Sequence, residues 1–502
     1  MRTWLLLICC LGGFLLTAQN VLPIGKWRTH SPKRVGEWVT QSEQDLYFAT
    51  RSAIMITDKE ELSSRFVSTV DGLSGVDIRM IKYHAPADKL VIVYQDGVID
   101  LYNEAAVLTI NSIKNFDNVA GEKTINDFVP LDDNTFLLAG SYGISLLRLD
   151  NGSFPLTTFT GSVSVQSVSA WDGFYYMGTL EGIYRTTITS NIIEDFGTWE
   201  FLGSDFGLPD DYTCNALRVF NDQLYVGVNE DIFSFDGTSA TLVTDRNDEL
   251  EMLYMSTEGG DLLVGYRCAG SSCGRGEFLL IDSDDNVAVL HDGCLGDAQN
   301  ALQDQFGRIW FGDTFMGFRR LENKDAEFCA TFELNSPFSP SVWDLEVVDD
   351  NVWLAAGSYT PNRSPLFLDH GMASLIDGEW RLYNRNTTEA FKGFNPDPNV
   401  RDDDVFALIE VEINEVTGKI YGASYNTGLI EIDGENIRLF DRSNAPLTGT
   451  IGDELRTRIS GLKADEDGNL WVSNYKPEGG KSLHRLAPDG TWQSFNNPAG
   501  QG

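Results

Sequence analysis

The stretch DQFGRIWFGDTFMGFRRLEN, residues 304–323, has a partial copy near the other end of the chain, DEDGNLWVSN, residues 465–474. Each copy begins with acidic and glycine residues that are typical of a turn. Each then continues into an alternating apolar run with a tryptophan at the same place, Trp310 and Trp471. Turn residues between runs of period two are typical of β-hairpins. The repeated phrase therefore predicts a repeated hairpin.

Fainter versions of this phrase bring the number of copies to ten. Their second strands begin at residues 45, 89, 135, 174, 223, 261, 308, 351, 419 and 469. Most starts lie 38 to 50 residues apart, and the longer step from 351 to 419 carries an insert. Four-stranded units that repeat at about this interval are typical of β-propeller blades. The sequence therefore predicts an all-β fold built of β-propellers.

A second marker divides the copies between two propellers. The pattern Gly-x-Trp marks the fourth strand of a blade, and it also occurs as GKWRTH at residues 25–30. We expect this N-terminal strand to close a seven-bladed first propeller over residues 19–324, because closure removes an open sheet edge. A second propeller then begins at residue 325 and runs to residue 502. It has three complete copies, fewer than a closed ring needs, so we expect the sequence to be truncated there.

The first 18 residues predict a secretory signal peptide. Arg2 precedes an apolar run over residues 4–16, and Ala18 offers a small residue at the exit. The run is too short to span a membrane as a mature anchor. We therefore expect an exported protein.

The charge balance excludes some partners and leaves one basic cluster. The chain has 37 basic and 74 acidic residues, a formal net charge of -37, which argues against a nucleic-acid partner. The concentrated positive charge lies near the N-terminus, and its residues are candidate contacts for an anionic glycan: Lys26, Trp27, Arg28, Lys33 and Arg34. The simpler interpretation of this cluster is the exposed face of an edge strand.

Five cysteines follow the predicted signal peptide: Cys214, Cys268, Cys273, Cys294 and Cys329. In an exported protein an odd number leaves at least one thiol unpaired within the chain. Cys268 and Cys273 are close enough to staple a hairpin loop, and Cys294 is a candidate partner for Cys329 across neighbouring outer strands. Disulfides are favoured over a zinc site, which needs further cysteine or histidine ligands nearby.

Residues with catalytic or metal-binding patterns are scarce. None of the five histidines lies in a catalytic motif, and His370 is the one that we would watch. Pairs such as Asp132–Asp133 and Asp210–Asp211 fall mostly where turns or loops favour aspartate. The segments 282–286 and 465–469 resemble calcium loops loosely but lack the distal glutamate. We predict no catalytic residue, no cofactor and no metal site.

The repeat in residues 304–311 and 465–472 resembles the two-component-regulator propeller repeat of exported Bacteroidota proteins. The phrases LPIGKWRTHSP (22–32), DGLSGVDIRMIKYH (71–84) and SIKNFDNVAGEKTIND (112–127) narrow the likeness to the PorZ family of the type IX secretion system. The resemblance implies two seven-bladed propellers followed by a C-terminal β-sandwich. It implies partners, namely the sortase PorU together with PorV and PorQ, and a role in attaching cargo to anionic lipopolysaccharide. It assigns no catalytic residues.

Two functions follow as expectations. The first is a non-enzymatic scaffold or adaptor at the cell surface or outer membrane, which works with the sortase in cargo attachment. The alternative is the periplasmic propeller sensor of a hybrid two-component system that binds an oligosaccharide.

Overall fold

The computed structural model describes residues 29–30, 32–33, 35–117, 123–246, 249–269, 276–290, 295–314, 317–326, 328–332, 335–337, 339, 341–385, 387–392 and 404–496. The chain divides into two compact units. The first, Lys33–Leu334, is called the N-terminal propeller below. The second, Asn335–Gly502 together with Met1–Pro32, is called the C-terminal unit.

The described part of the N-terminal propeller contains seven sheets, each of four antiparallel strands paired in chain order. The first three sheets contain β1 (Trp38–Gln41), β2 (Asp45–Ala49), β3 (Ala53–Asp58), β4 (Ser64–Ser68), β5 (Ile78–His84), β6 (Lys89–Tyr94), β7 (Ile99–Asn103), β8 (Ala106–Ile110), β9 (Ile125–Asp132), β10 (Thr135–Gly140), β11 (Gly143–Arg148) and β12 (Leu156–Phe159). The next four contain β13 (Val165–Trp171), β14 (Phe174–Thr179), β15 (Gly182–Thr187), β16 (Glu200–Phe201), β17 (Leu217–Phe220), β18 (Gln223–Val228), β19 (Asp231–Phe235), β20 (Ala240–Thr244), β21 (Leu250–Ser256), β22 (Leu262–Cys268), β23 (Glu277–Ile281), β24 (Val287–Leu290), β25 (Ala298–Gln303), β26 (Ile309–Asp313), β27 (Gly317–Leu321) and β28 (Ala330–Phe332).

Apolar clusters between successive sheets close the seven sheets into a ring. Six clusters join each sheet to the next, from the first to the seventh. A further cluster joins the seventh sheet to the first and buries Phe48 and Trp310 completely. The second strands are therefore covered on both faces, which explains why they read as apolar runs such as Thr135–Gly140. The predicted seven-bladed all-β propeller is confirmed.

The expected closure by an N-terminal strand is wrong. The outer strand of the seventh sheet is β28, which pairs with β27. Residues 25–28 lie outside the described residues, and His30, in the C-terminal unit, accepts a hydrogen bond on Nδ1 from the indole of Trp380 at 3.1 Å. A strand that follows β27 directly closes a much shorter loop than a strand from the far terminus, and its entropic cost is lower. The N-terminal propeller consequently extends to Leu334 instead of residue 324.

The phrase that repeats in the sequence is a turn that holds its own tryptophan. Asp304 accepts the backbone N–H groups of Phe306 and Arg308 and the indole N–H of Trp310, the last at 2.8 Å. Asp465 accepts from Trp471 at the same distance and from the turn in the same way. One carboxylate thus fixes both the turn and the indole ring six positions later. This explains why both copies have the same interval between the aspartate and the tryptophan.

The described part of the C-terminal unit contains three sheets of the same type. Their strands are β29 (Asp344–Val348), β30 (Asn351–Ala355), β31 (Met372–Ile376), β32 (Glu379–Tyr383), β33 (Leu408–Asn414), β34 (Lys419–Ser424), β35 (Gly428–Asp433), β36 (Asn436–Phe440), β37 (Ile459–Ala464), β38 (Leu470–Asn474), β39 (Leu483–Leu486) and β40 (Trp492–Phe495). Two apolar clusters join the first sheet to the second and the second to the third.

Helical structure in the described residues is confined to short 3₁₀ turns. These are Thr69–Asp71, Ala85–Ala87, Phe196–Thr198, Ser204–Phe206, Glu389–Phe391 and Glu478–Gly480. None of these helices has the length and apolar character needed to cross a bilayer.

Candidate functional site in the axial channel

Two chambers lie on the axis of the N-terminal propeller, because each is lined by residues from all seven sheets. The larger chamber has a volume of about 570 Å³ and the smaller one about 260 Å³. They share one dividing wall, called the septum below: Trp38, Asp127, Arg218, Tyr254 and Met255. Ligands bind preferentially in concave sites of this kind, so the channel is the candidate functional site.

The septum is held by a bidentate ion pair. Both oxygens of Asp127 accept from the Arg218 guanidinium at 2.8 Å, and the side chains are 8% and 18% exposed. Asp127 also accepts from its neighbour Phe128 N and from Val168 N of the adjacent sheet. Planar, two-point pairing of this kind is strong and directional. It joins the third, fourth and fifth sheets across the channel.

Asp127 makes a type of contact that recurs in the chain: a side chain on the first strand of one sheet hydrogen-bonds to the backbone of the next sheet. Asn300 accepts from Val39 N and donates to Val39 O, both at 2.8 Å, and so links the seventh sheet to the first. In the C-terminal unit, Asp344 accepts from Val411 N and Glu412 accepts from Ala464 N. We call these contacts inner clasps. These contacts have no local sequence signal, because an acidic residue on an inner strand looks the same in the sequence as one in a turn.

The charged groups of the smaller chamber are satisfied by the protein itself. Lys82 pairs with Glu258 at 2.9 Å. The second oxygen of Glu258 accepts from the Thr40 hydroxyl and from Gln41 N, each at 2.8 Å. The Lys82–Glu258 pair of this chamber therefore has little capacity left for a charged ligand.

Among the predicted glycan contacts, Lys33 is not available at the surface. It is 5% exposed and its ammonium lies 3.4 Å from the centroid of the Phe66 ring. The stem and charge of a lysine are satisfied by such a cation–π contact, so for this residue the expectation is wrong. The other members of the cluster, Lys26, Trp27, Arg28 and Arg34, lie outside the described residues.

Two of the predicted disulfide cysteines are described. Cys268 and Cys329 are both disulfide-bonded, whereas Cys273 and Cys294 lie outside the described residues. The pairings of Cys268 with Cys273 and of Cys294 with Cys329 stay predictions. The remaining cysteine, Cys214, is a free and fully buried thiol.

We expect Cys214 to resist alkylation in the native protein. Burial raises the pKa of the Cys214 thiol to about 12, and the thiolate is the reactive form. Native protein treated with iodoacetamide at about pH 8 should therefore keep this thiol, and denatured protein should lose it. Mass spectrometry of the Cys214 peptide measures both. Fast modification of the native protein would contradict the buried position.

His370 is partly buried, and the aspartates of the predicted turns accept hydrogen bonds from those turns. Burial lowers the pKa of His370, and the neighbouring Asp369 raises it. Asp132 accepts from Asn134 N, and Asp282 accepts from backbone N–H groups of its own turn. These carboxylate oxygens are used by the turn, as the sequence suggested. Within the described residues no group of three or more His, Cys, Asp or Glu is arranged to hold a metal.

The inner strands of the C-terminal unit carry a group of carboxylates around Glu410. Burial raises the pKa of Glu410 to about 7, with smaller upward contributions from Asp344 and Glu412. Burial also raises the pKa of Glu346. Lys463 pairs with Glu412 at 2.9 Å and leaves Glu410 without that ion pair. Glu410 is therefore a group whose protonation is coupled to folding.

The C-terminal unit should lose stability between about pH 5 and about pH 8. The folded pKa of Glu410 lies above the ordinary 4.5, so the folded state binds this proton more tightly than the unfolded state. Its contribution is present below pH 4.5 and is lost as the pH rises through 7. Denaturant unfolding of the unit at both pH values measures the loss. Glu410→Gln should abolish most of it, whereas the exposed Glu415→Gln should not. An equal pH dependence in all three proteins would contradict this assignment.

Comparisons with known proteins agree with the fold. Residues 46–200 match the family model of the N-terminal β-propeller domain of PorZ from the type IX secretion system. The structure is similar to that of PorZ, an essential surface component of this system in Porphyromonas gingivalis, with a TM-score of 0.73 at 17% identity. The match covers 94% of this chain, which spans 60% of the length of that PorZ. At this identity the structural likeness is one of fold.

A weaker likeness links the chain to a sensor protein. The extracellular domain of a putative hybrid two-component system from B. thetaiotaomicron matches with a TM-score of 0.44 at 14% identity, over 93% of this chain and 65% of that one. No curated protein matches the sequence. The family match lies within the first four of the seven sheets. Residues 46–200 therefore resemble the N-terminal β-propeller domain of PorZ from the type IX secretion system.

Proposed function

We propose that the protein is a non-enzymatic scaffold of the type IX secretion system at the cell surface or outer membrane. In this role it works with the sortase in attaching cargo to anionic lipopolysaccharide. The observation that carries the proposal is the match of residues 46–200 to the PorZ propeller. The fold likeness to PorZ over 94% of the chain supports it.

The channel supports a scaffold that presents surfaces rather than a conduit. Trp38 and the Asp127–Arg218 pair form the wall between the two chambers. A passing chain would have to break a two-point ion pair and leave both charges unpaired, at a cost of several kcal/mol. Partner proteins therefore engage the outer faces of the propeller.

The net charge suggests which component contacts the lipopolysaccharide and which makes protein–protein contacts. A formal charge of -37 repels an anionic polysaccharide over the range of the Debye length. We therefore assign the chain to protein–protein contacts with homologues of PorU, PorV and PorQ. Lipopolysaccharide is then bound by a partner, or by this chain through a locally basic surface or divalent cations.

Affinity capture tests the proposed contacts. The chain carries an epitope tag in its own host, surface complexes are crosslinked, and the captured proteins are quantified by mass spectrometry. Homologues of PorU, PorV and PorQ should be enriched over the same tag on an unrelated exported protein. Capture of a sensor kinase in their place would favour the two-component alternative and contradict the scaffold.

A further inference from the structure

The larger chamber differs from the rest of the chain in its charge balance. Its lining carries four basic residues, Arg51, Arg79, Arg218 and Arg267, and four acidic residues, Glu37, Asp127, Glu251 and Asp297. The formal charge of the lining is therefore zero, in a chain whose net charge is -37. A cavity with both signs in equal number suits a ligand that also carries both signs.

Three of the four arginines are paired with carboxylates. Arg51 contacts Glu37 at 2.8 Å, Arg267 contacts Glu251 at 2.6 Å, and Arg218 is held in the septum. Arg79 differs from them. Its Nη1 donates to the Gln95 amide oxygen at 3.3 Å and its Nη2 to the Asn126 amide oxygen at 3.2 Å.

Arg79 is thus a half-buried cation held by neutral groups among the described residues. Burial lowers the pKa of its guanidinium, and the more distant Glu37 raises it. A guanidinium stays charged at neutral pH, and its planar fork matches a carboxylate. Arg79 therefore has unused capacity for an anionic group.

Asp297, an acidic residue that also lines the larger chamber, is the candidate contact for a positively charged group. Its Oδ2 accepts from the Thr314 hydroxyl at 2.7 Å. Its Oδ1 is shielded from solvent and accepts no hydrogen bond within the described residues. A carboxylate can accept about four hydrogen bonds, so that of Asp297 has capacity left for a ligand donor.

We propose that the larger chamber binds a small zwitterion, a free amino acid or a short peptide, with its carboxylate on Arg79 and its ammonium towards the Asp297 carboxylate. The volume of about 570 Å³ lies within the range of small-molecule sites. The smaller chamber serves as an internal contrast, because its Lys82 and Glu258 are already satisfied. This site is independent of the proposed secretion role.

Calorimetric titration of the whole protein tests the site, with the standard free amino acids and alanyl dipeptides as probes. We expect at least one free amino acid or dipeptide to bind. Its C-terminal amide and its N-acetyl derivative should each bind about tenfold or more weakly, because each loses one charged contact. Failure of all the probes, or equal binding of either derivative, would overturn the proposal.

Variants test the two named side chains. Arg79→Gln and Asp297→Asn should each weaken binding of that probe about tenfold or more. Arg148→Gln removes the same charge from an exposed position on β11 and should leave binding unchanged. Thermal melts establish that each variant is folded before titration. Unchanged affinity in folded Arg79→Gln would overturn the assignment. If a variant does not fold, binding of the amide and N-acetyl derivatives to the wild-type protein tests the two contacts instead.

Discussion

Replacing Asp304 with alanine should destabilise the N-terminal propeller by about 3 to 5 kcal/mol. Asp304 is 3% exposed, and its carboxylate pairs with Arg308 at 2.6 Å while it accepts from Trp310. Alanine leaves that arginine without its carboxylate and a fully buried indole N–H without an acceptor. Trp310 also lies in the cluster that joins the seventh sheet to the first. The loss is therefore expected in the closure of the ring itself.

Denaturant unfolding measures this loss, and the chain offers two controls. Asp325→Ala removes an exposed carboxylate from the same blade and should change the free energy of unfolding by less than about 0.5 kcal/mol. Asp465→Ala removes the equivalent turn contact in the C-terminal unit. Its tryptophan is only partly buried, so its effect should be smaller. Equal, small losses in all three variants would show that the repeated phrase has no stabilising role.

Asp127→Ala should have a comparably large effect, about 3 to 5 kcal/mol, on the same propeller. The substitution leaves Arg218 as an unpaired charge in the septum and removes the acceptor of Val168 N in the next sheet. The exposed Asp133→Ala, six positions further along the same blade, is the matched control and should be near neutral.

A double substitution separates the cost of an unpaired charge from the value of the pair. Asp127→Ala combined with Arg218→Leu removes both charges, so part of the stability lost in Asp127→Ala should return. Unfolding in denaturant of the two single variants and the double variant gives the coupling. A double variant less stable than Asp127→Ala by the full cost of Arg218→Leu would contradict the unpaired-charge explanation.

The sequence predicted those parts of the fold that depend on residues close together in the chain, namely the hairpins and turns. Turn residues followed by an apolar run identify the second strand of each blade, because hairpins form between adjacent segments. The repeat gives ten copies, and the Gly-x-Trp marker divides them so that seven fall in the first ring. The same local pattern placed Asp282 and Asp465 in turns, where their oxygens are indeed used by backbone N–H groups.

Contacts between distant segments were not predictable in this way. The choice between β28 and an N-terminal strand for the seventh sheet depends on loop entropy, which the Gly-x-Trp marker does not express. The inner clasp of Asn300 on Val39 spans 261 positions, and nothing local distinguishes Asn300 from a turn asparagine. Arg79 and Asp297 likewise come from different parts of the chain, and both line the larger chamber.

Under the proposed function, this chain serves cargo attachment in type IX secretion. The most direct test is the amount of type IX cargo attached to the cell surface in a host strain that lacks the gene, compared with the same strain complemented by the intact gene. If the proposed function is right, the amount of attached cargo should fall in the deletion strain and return on complementation. Unchanged surface attachment in the deletion strain would contradict it.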